Sequence, residues 1–476
     1  MGSVSEVQSP GSGKRRIFLN GFDMFTVGHL SFGQWRNPKD RAKTKRRDLS
    51  YWTNLAQLLE RGDFNALFLA DGYGQYDVYK NSSEPGIRTA AQFPMGDPAV
   101  PITAMALVTK NLGFAITTST SYEAPYTVAK RFSTLDHLTQ GRIGWNIVTS
   151  FKESGSKALG TTPVEHDKRY EVADEYVRVL YKLWEGSWAD DALREDAEHE
   201  IYADPARIKT VHHSGQYFKV EGPHILDPSP QRTPFLFQAG TSPAGIQFGA
   251  THSEGIFVSA LSPNILAPRV KAIRAKAAEV GRDPRSLKIF AVVTPIIGRT
   301  KEEAQAKYQE ALKYASVEGG LAFYSGNSGI DLSKYDLDVE LSTSDVSTDH
   351  RVRSLVASLS YHGDDLPPWT PRNIGRQVSL GGNGPVPVGT AEEVADVLEH
   401  WADTADLDGF NVGYITTPGT FEDVVELLVP ELRRRGRYGP VGESGTLRER
   451  IYGKGQSRLR EDHVGSQYRY DRYDGN

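Results

Sequence analysis

Two hydrophobic periods alternate along this chain. Short apolar runs of strand character fall at 17–22, 66–70, 113–118, 142–148, 234–239, 255–258, 287–295 and 409–414. Between and after them, patterns of helical period cover 49–61, 100–112, 127–138, 168–184, 244–251, 264–280, 390–404 and 420–435. Eight strands, each followed by a helix, predict an α/β fold of the (β/α)8 TIM-barrel type. A doubly wound open sheet is the alternative; it needs a switch point and usually has fewer units, so the count favours the barrel. Residues 1–14 are Ser/Gly-rich and predict disorder, leaving one barrel over 15–438. Two long interruptions break the alternation, at about 185–232 and 316–389, and loops of that length tend to be lids or specificity loops. The Arg/Tyr/Gly-rich tail, 439–476, either wraps a partner subunit or is solvated.

Composition narrows the function classes. A 38% hydrophobic and 24% charged chain reads as a soluble globular protein, and its formal charge of −5 gives no electrostatic reason to expect nucleic acid or an anionic membrane. The absence of cysteine excludes disulfides, thiolate metal sites and cysteine nucleophiles. The longest apolar stretches are strand-length, too short to span a bilayer. The start resembles a myristoylation site but carries Glu6 where Ser or Thr is required, and no signal peptide precedes Lys14. A cytoplasmic location is the expectation.

The strand run Trp145-Asn146-Ile147-Val148-Thr149-Ser150 breaks from apolar residues into amide and hydroxyl side chains, as α/β strands do where their carboxyl ends carry binding groups. Asp71 ends the second strand run, and Thr117 to Thr120 end the third. Gln238-Ala239-Gly240-Thr241-Ser242 joins the fifth run to a helix, where free N–H groups, hydroxyls and the helix dipole suit a phosphate; an ordinary N-cap at Ser242, followed by Pro243, is the plainer reading. His166 and Tyr170 stand four apart on one helix face, a spacing without metal-site character but suited to hydrogen bonds with a planar heterocycle or its phosphate. His212, His213 and His224 read as surface loop residues rather than a zinc site. No Gly-x-Gly-x-x-Gly follows the first strand, and the spacing from Gly240 to Gly245 continues Ile246-Gln247 where a P-loop needs Lys and a hydroxyl. A nucleoside triphosphate and a resident nicotinamide domain are therefore not expected.

Taken together, these segments resemble the bacterial-luciferase-like flavin monooxygenases. The subgroup is that of the nitrilotriacetate, dibenzothiophene-sulfone and dimethyl-sulfide monooxygenase large components. The resemblance is carried by 64–71, by Ser133-Thr134-Leu135-Asp136-His137-Leu138-Thr139-Gln140-Gly141-Arg142, by 145–150, 166–170 and 238–242, and later by 388–392 and 408–410. It implies a TIM barrel that takes reduced FMN from a separate NAD(P)H:flavin reductase. With O2 the enzyme would oxygenate a small organosulfur or amine-type substrate, cleaving C–S or C–N. Carried over by position, Asp71 and Thr118 lie near the isoalloxazine, with the register at Thr117–Ser119 open by one residue. Asn146 and Thr149 sit beside the ring, and His166 and Tyr170 contact the flavin or its ribityl-phosphate arm. Ser242 with the Gly240 and Thr241 amides holds the phosphate. His29 and Trp35 follow the first strand and face the substrate, making them, with Asn146, the catalytic candidates. No metal is implied, the 316–389 insertion becomes the candidate lid, and the expected assembly is a homodimer or homotetramer. A flavin- or deazaflavin-dependent hydride-transfer enzyme and a non-catalytic flavin-binding barrel are the competing readings.

Overall fold

The computed structural model describes residues 14–341, 368–439 and 444–475. The predicted disorder of 1–14 falls, apart from Lys14, outside the described residues, as does 342–367 of the second insertion. Eight parallel strands form a closed barrel: β1 (Phe18–Met24), β2 (Ala66–Ala70), β3 (Gly113–Ser119), β4 (Ile143–Val148), β5 (Phe235–Gln238), β6 (Gly255–Val258), β7 (Lys288–Val293) and β8 (Gly409–Val412). They neighbour one another in sequence order, and β1 closes on β8 with Phe18 opposite Gly409. All eight coincide with the apolar runs. No helix among the described residues is long and apolar enough to cross a membrane.

Period-two alternation sorts each strand between two cores. Leu19, Leu67, Leu69, Phe114, Ile116, Trp145 and Ile147 point outward and join the helices in the largest apolar cluster. Phe18, Phe68, Ala115, Phe235, Phe237 and Phe290 fill the lumen. Phe237 stacks on Phe257 at 5.2 Å between ring centroids, and Phe68 meets Phe257 edge-on at 4.3 Å. Rings this large need small residues opposite them. A Cβ at Gly144 would lie 2.9 Å from the Phe237 ring, and one at Gly113 2.6 Å from Leu447.

The helices that place functional groups are α1 (Leu49–Arg61), α2 (Pro125–Leu138), α3 (His166–Tyr181), α4 (Pro243–His252), α5 (Val317–Ser328), α6 (Pro371–Val378) and α7 (Leu447–Tyr452). The helix expected over 100–112 is only Ile102–Leu107. The cause is Glu60: one of its carboxylate oxygens accepts from the amides of Lys110, Asn111 and Leu112 at 2.7, 2.6 and 3.1 Å, so these cannot continue a helical ladder. The 185–232 interruption is not featureless; it holds two small hairpins, Leu193–Asp196 with Ile201–Ala203 and Val211–Ser214 with Lys219–Gly222. His224 is not a surface residue either. It is buried, with Nε2 2.9 Å from Ser133 Oγ, and burial holds its pKa down at about 4.

The tail is not solvated. α7 plugs the amino end of the barrel, where Leu447 and Ile451 enter the lumen cluster. The fully buried Arg448 donates from Nε and Nη2 to Glu254 at 2.8 and 2.9 Å, and to the carbonyls of Thr233, Pro234 and Ser457. The chain then runs over α3 and α4, where Tyr468 packs on Tyr181 and His463 bonds the His252 carbonyl. In the second insertion, α5 and α6 pack together over Leu30, Phe32, Tyr76 and Tyr79 at the carboxyl end of the barrel.

Candidate active site

A cavity of about 470 Å3 opens over the carboxyl ends of the strands; its walls include Phe22 and Met24 of β1, Ala70 and Asp71 after β2, Val148 to Lys152 after β4, and Gln238 to Gly240 after β5. Phe323 and Asn327 of α5 close one side, so the second insertion contributes wall directly.

Four of the expected residues meet at one point. Tyr170, in the first turns of α3, has its hydroxyl close enough to those of Ser242 and Thr149 to interact with both, and burial raises its pKa. Ser242 caps α4, its Oγ accepting from the Gly245 amide at 3.1 Å, with Pro243 at the first helical position as expected. Gly240 is the fourth member: a Cβ there would lie 2.5 Å from the Tyr170 hydroxyl, so the turn can pass beneath it only as glycine. Thr241 lies in the same turn, partly exposed. His166 sits one turn before Tyr170, rings 5.4 Å apart and edge-on; it is outside the cavity lining, and its Nδ1 is 2.6 Å from Asp167.

β4 ends in a tight conformation. Ser150 has φ 40, a left-handed backbone that a non-glycine residue adopts at a cost of about 1–3 kcal/mol. It is held there by Ser119, whose Oγ is 2.8 Å from Ser150 Oγ, and by the Arg169 guanidinium on its carbonyl. Asn146 faces the lumen and donates to Thr117 Oγ1 at 2.8 Å, leaving its own Oδ1 buried without a partner. Thr117 shares the lumen side with Ala115, whereas Thr118 alternates to the other side with Phe114 and Ile116; both border a second hollow of about 240 Å3 with Asp71, Tyr73 and Glu123.

Asp71 borders both hollows. Burial, reinforced by Asp97 and Glu123, outweighs its bond from the Gly72 amide and the pull of Lys152, and raises its pKa to about 7. His29 lines the main cavity edge-on to Phe22 at 4.5 Å. Burial holds its pKa down at about 3, so the imidazole is neutral, and its Nδ1 has no partner. Trp35 does not join them: it lies outside the lining, and its Nε1 donates to the Thr89 carbonyl at 3.2 Å.

Several residues here carried no motif signal. Behind His29, a fully buried Asp23–Lys45 ion pair is bonded by the hydroxyls of Tyr51 at 3.0 Å and Tyr414 at 2.8 Å. Gln238 borders the cavity, its Oε1 buried against Gly249 of α4 without a partner, and Lys152, Tyr76, Gln92 and Phe323 add to the lining. Gln238 stands in the strand-to-helix motif and Lys152 two residues beyond the strand-end hydroxyls, whereas Tyr76, Gln92 and Phe323 carried no signal. Conversely, much of the 133–142 segment is structural. Asp136 accepts from the Gln231 amide and side chain, while Arg142 gathers the carbonyls of Thr139, Leu112 and Ala106. No group of three or more metal-type ligands occurs among the described residues.

A closed parallel barrel with polar strand ends converging on one apolar-walled cavity is the architecture of a TIM-barrel enzyme. Residues 27–408 match the luciferase-like monooxygenase family, and the chain belongs to it. It is 46% identical over 463 residues to the dimethyl-sulfide monooxygenase of Hyphomicrobium sulfonivorans, covering 97% of this chain and 95% of that one. It is likewise 46% identical to the long-chain alkane monooxygenase of Geobacillus thermodenitrificans (strain NG80-2), covering 96% and 98%. A riboflavin lyase solved with modified FMN and riboflavin superposes with a TM-score of 0.87 at 38% identity, covering 96% of this chain and all of that one.

Proposed function

We propose that this protein is the oxygenating component of a two-component monooxygenase that uses reduced FMN and O2. The observation that carries the reading is the meeting of Tyr170, Thr149, Ser242 and Gly240 at the amino end of α4, beside the cavity over the strand ends. These residues fit a flavin mononucleotide. Ser242, the first amides of α4 and the Tyr170 hydroxyl would hold the phosphate arm, with Arg169 as the neighbouring cation. Gln238, Asn146 and Asp71 offer hydrogen-bonding groups to a heterocyclic ring. When bound, reduced flavin supplies the electrons with which O2 is activated to oxygenate the substrate.

The chain's own part is to position and to exclude water. Phe22, Phe248 and Phe323 line the cavity with apolar surface. The neutral His29 presents its unpartnered Nδ1, while Asp71 can hold or release a proton near neutral pH. The lack of a dinucleotide fingerprint fits reduced flavin delivered by a separate NAD(P)H:flavin reductase. The substrate would be a small organosulfur or amine-type compound, the assembly a homodimer or homotetramer, and the location cytoplasmic.

The test is an anaerobic titration with reduced FMN, followed by O2 consumption with a flavin reductase and a panel of sulfides, sulfones and amines. Tight binding of reduced FMN, weak binding of oxidised FMN and substrate-dependent O2 uptake support the proposal. Stoichiometric, retained FAD, or substrate oxidation without O2 uptake, overturns it. Phe323→Ala should raise the ratio of hydrogen peroxide released to product formed, by admitting water through the α5 wall; an unchanged ratio removes α5 from that role.

A further inference from the structure

Lys152, half-buried, is unlike the other lysines that the fold encloses. Lys45 is spent on Asp23 and Tyr414, Lys209 on the carbonyls of Tyr470 and Tyr473, and Lys288 on the Arg285 carbonyl. Lys152 lines the main cavity with its Nζ 3.9 Å from the centroid of the Tyr76 ring, and it makes neither a hydrogen bond nor an ion pair among the described residues. The Tyr76 ring is itself fixed, its hydroxyl donating to Gln92 at 2.7 Å and receiving the Asn327 amide at 3.4 Å. At Gly72, where a Cβ would come within 3.9 Å of Nζ, the absence of a side chain leaves the ammonium approachable. Burial draws the Lys152 pKa down to about 8, so the group is partly desolvated yet still charged at neutral pH. A partly desolvated ammonium that rests on a ring face, with Asp71 and Asp77 near but neither paired to it, gains from an arriving anion. Asp71 does not fill that place, because its own burial favours the neutral acid up to about pH 7.

We propose that Lys152 is a substrate-specificity residue that receives one carboxylate or sulfonate group of the substrate, whose apolar part lies against Phe22 and Phe323. This rests on the monooxygenase reading above and narrows it to substrates bearing an acidic group.

The experiment titrates pentane-1-sulfonate, pentanoate and pentan-1-ol calorimetrically into wild type, Lys152→Met and Lys152→Arg, each with and without saturating FMN. Wild type should bind both anions roughly tenfold or more tighter than the alcohol, the gain expected from a charge-assisted hydrogen bond. Lys152→Met should lose that preference and Lys152→Arg keep it, with FMN affinity unchanged within about twofold across all three. Equal binding of the three probes by wild type, failure to bind either anion, or a preference that survives in Lys152→Met overturns the proposal. So does a loss of FMN affinity in Lys152→Met, which would assign the ammonium to the flavin. If wild type binds no FMN but shows the Lys152-dependent anion preference, the flavin reading falls and the anion subsite stands.

Discussion

The two ends of the barrel bury polar groups in different ways. At the amino end, Arg448 is enclosed with Glu254 and three backbone carbonyls, and Arg450 reaches the carbonyls of Phe64, Asn65 and Asn111, so α7 completes hydrogen bonds that the strand entrances leave open. The amide oxygens of Asn65 and Gln231 lack partners there, but each of those side chains still donates locally. At the carboxyl end, His29 Nδ1 and Gln238 Oε1 have no partner, Lys152 rests on a ring face, and Ser150 is held in a left-handed turn. Buried polar groups are ordinarily satisfied because desolvating them is costly. Unpartnered buried atoms occur at both ends, Ser229 Oγ and Ser253 Oγ among them at the amino end; what sets the carboxyl end apart is that His29 and Lys152 face an open cavity instead of the protein's own chain.

The sharpest way to break this comparison is to open the sealed end. Arg448→Met leaves Glu254 buried without its partner and should cost about 3–5 kcal/mol of stability, read as a drop in the urea midpoint. Adding Glu254→Gln should recover part of the loss. A change below about 1 kcal/mol would make α7 dispensable and the contrast empty.

The mouth should respond in ligand affinity more than in folding. Ser242→Ala and Tyr170→Phe should each weaken reduced-FMN binding by about 1.5–3 kcal/mol, the worth of a hydrogen bond to a charged group. Tyr170→Phe should barely move thermal unfolding, whereas Ser242→Ala also loses the α4 cap, about 1 kcal/mol. Unchanged affinity in both variants would remove them from the phosphate site.

Asp71 sharpens the comparison through pH. Its folded pKa, raised by burial to about 7, lies above the unfolded value of about 3.9, so the native state keeps a proton that the unfolded chain releases. Wild-type stability contributed by this group is therefore present at low pH and lost as pH rises through about 7. Asp71→Asn abolishes the titration, so its stability relative to wild type should improve from pH 5 to pH 8, by about 1–2 kcal/mol once partial exposure is allowed for. A gap that is constant across melting curves at the two pH values would contradict the assignment. The smallest effect is expected at Trp35, which lies outside the cavity: Trp35→Phe should cost at most about 1.5 kcal/mol, one hydrogen bond, and leave substrate preference unaltered. Altered preference would bring the ring back into the site.

Much of this was legible before the structure, and the gaps have identifiable causes. The strands could be located because each apolar run is local, and Ser242 with Pro243 announces the start of α4 from adjacent positions alone. The early end of the helix at Leu107 could not be read, because the carboxylate that stops it belongs to Glu60, some fifty residues earlier. Thr117 and Thr118 are chemically alike, so the lumen-facing one could be picked out only once Asn146 on the neighbouring strand bonded Thr117. The tail offered no period strong enough to distinguish a plug from a solvated strand of chain; Leu447 matters because the barrel leaves space beside Gly113.

By itself, then, the sequence determined the eight-fold alternation, the polar strand ends at Asp71, Thr149 and Gly240, and the family to which the chain belongs. Those properties depend on periodicity and on neighbours along the chain. Tertiary structure alone decided that the hydroxyls of Tyr170, Thr149 and Ser242 come together, that Trp35 stands aside, that Lys152 faces the cavity without a hydrogen bond or ion pair, and that α7 seals the far end. Each of these depends on groups far apart in sequence competing for the same desolvated space, and that competition is resolved only when the barrel closes.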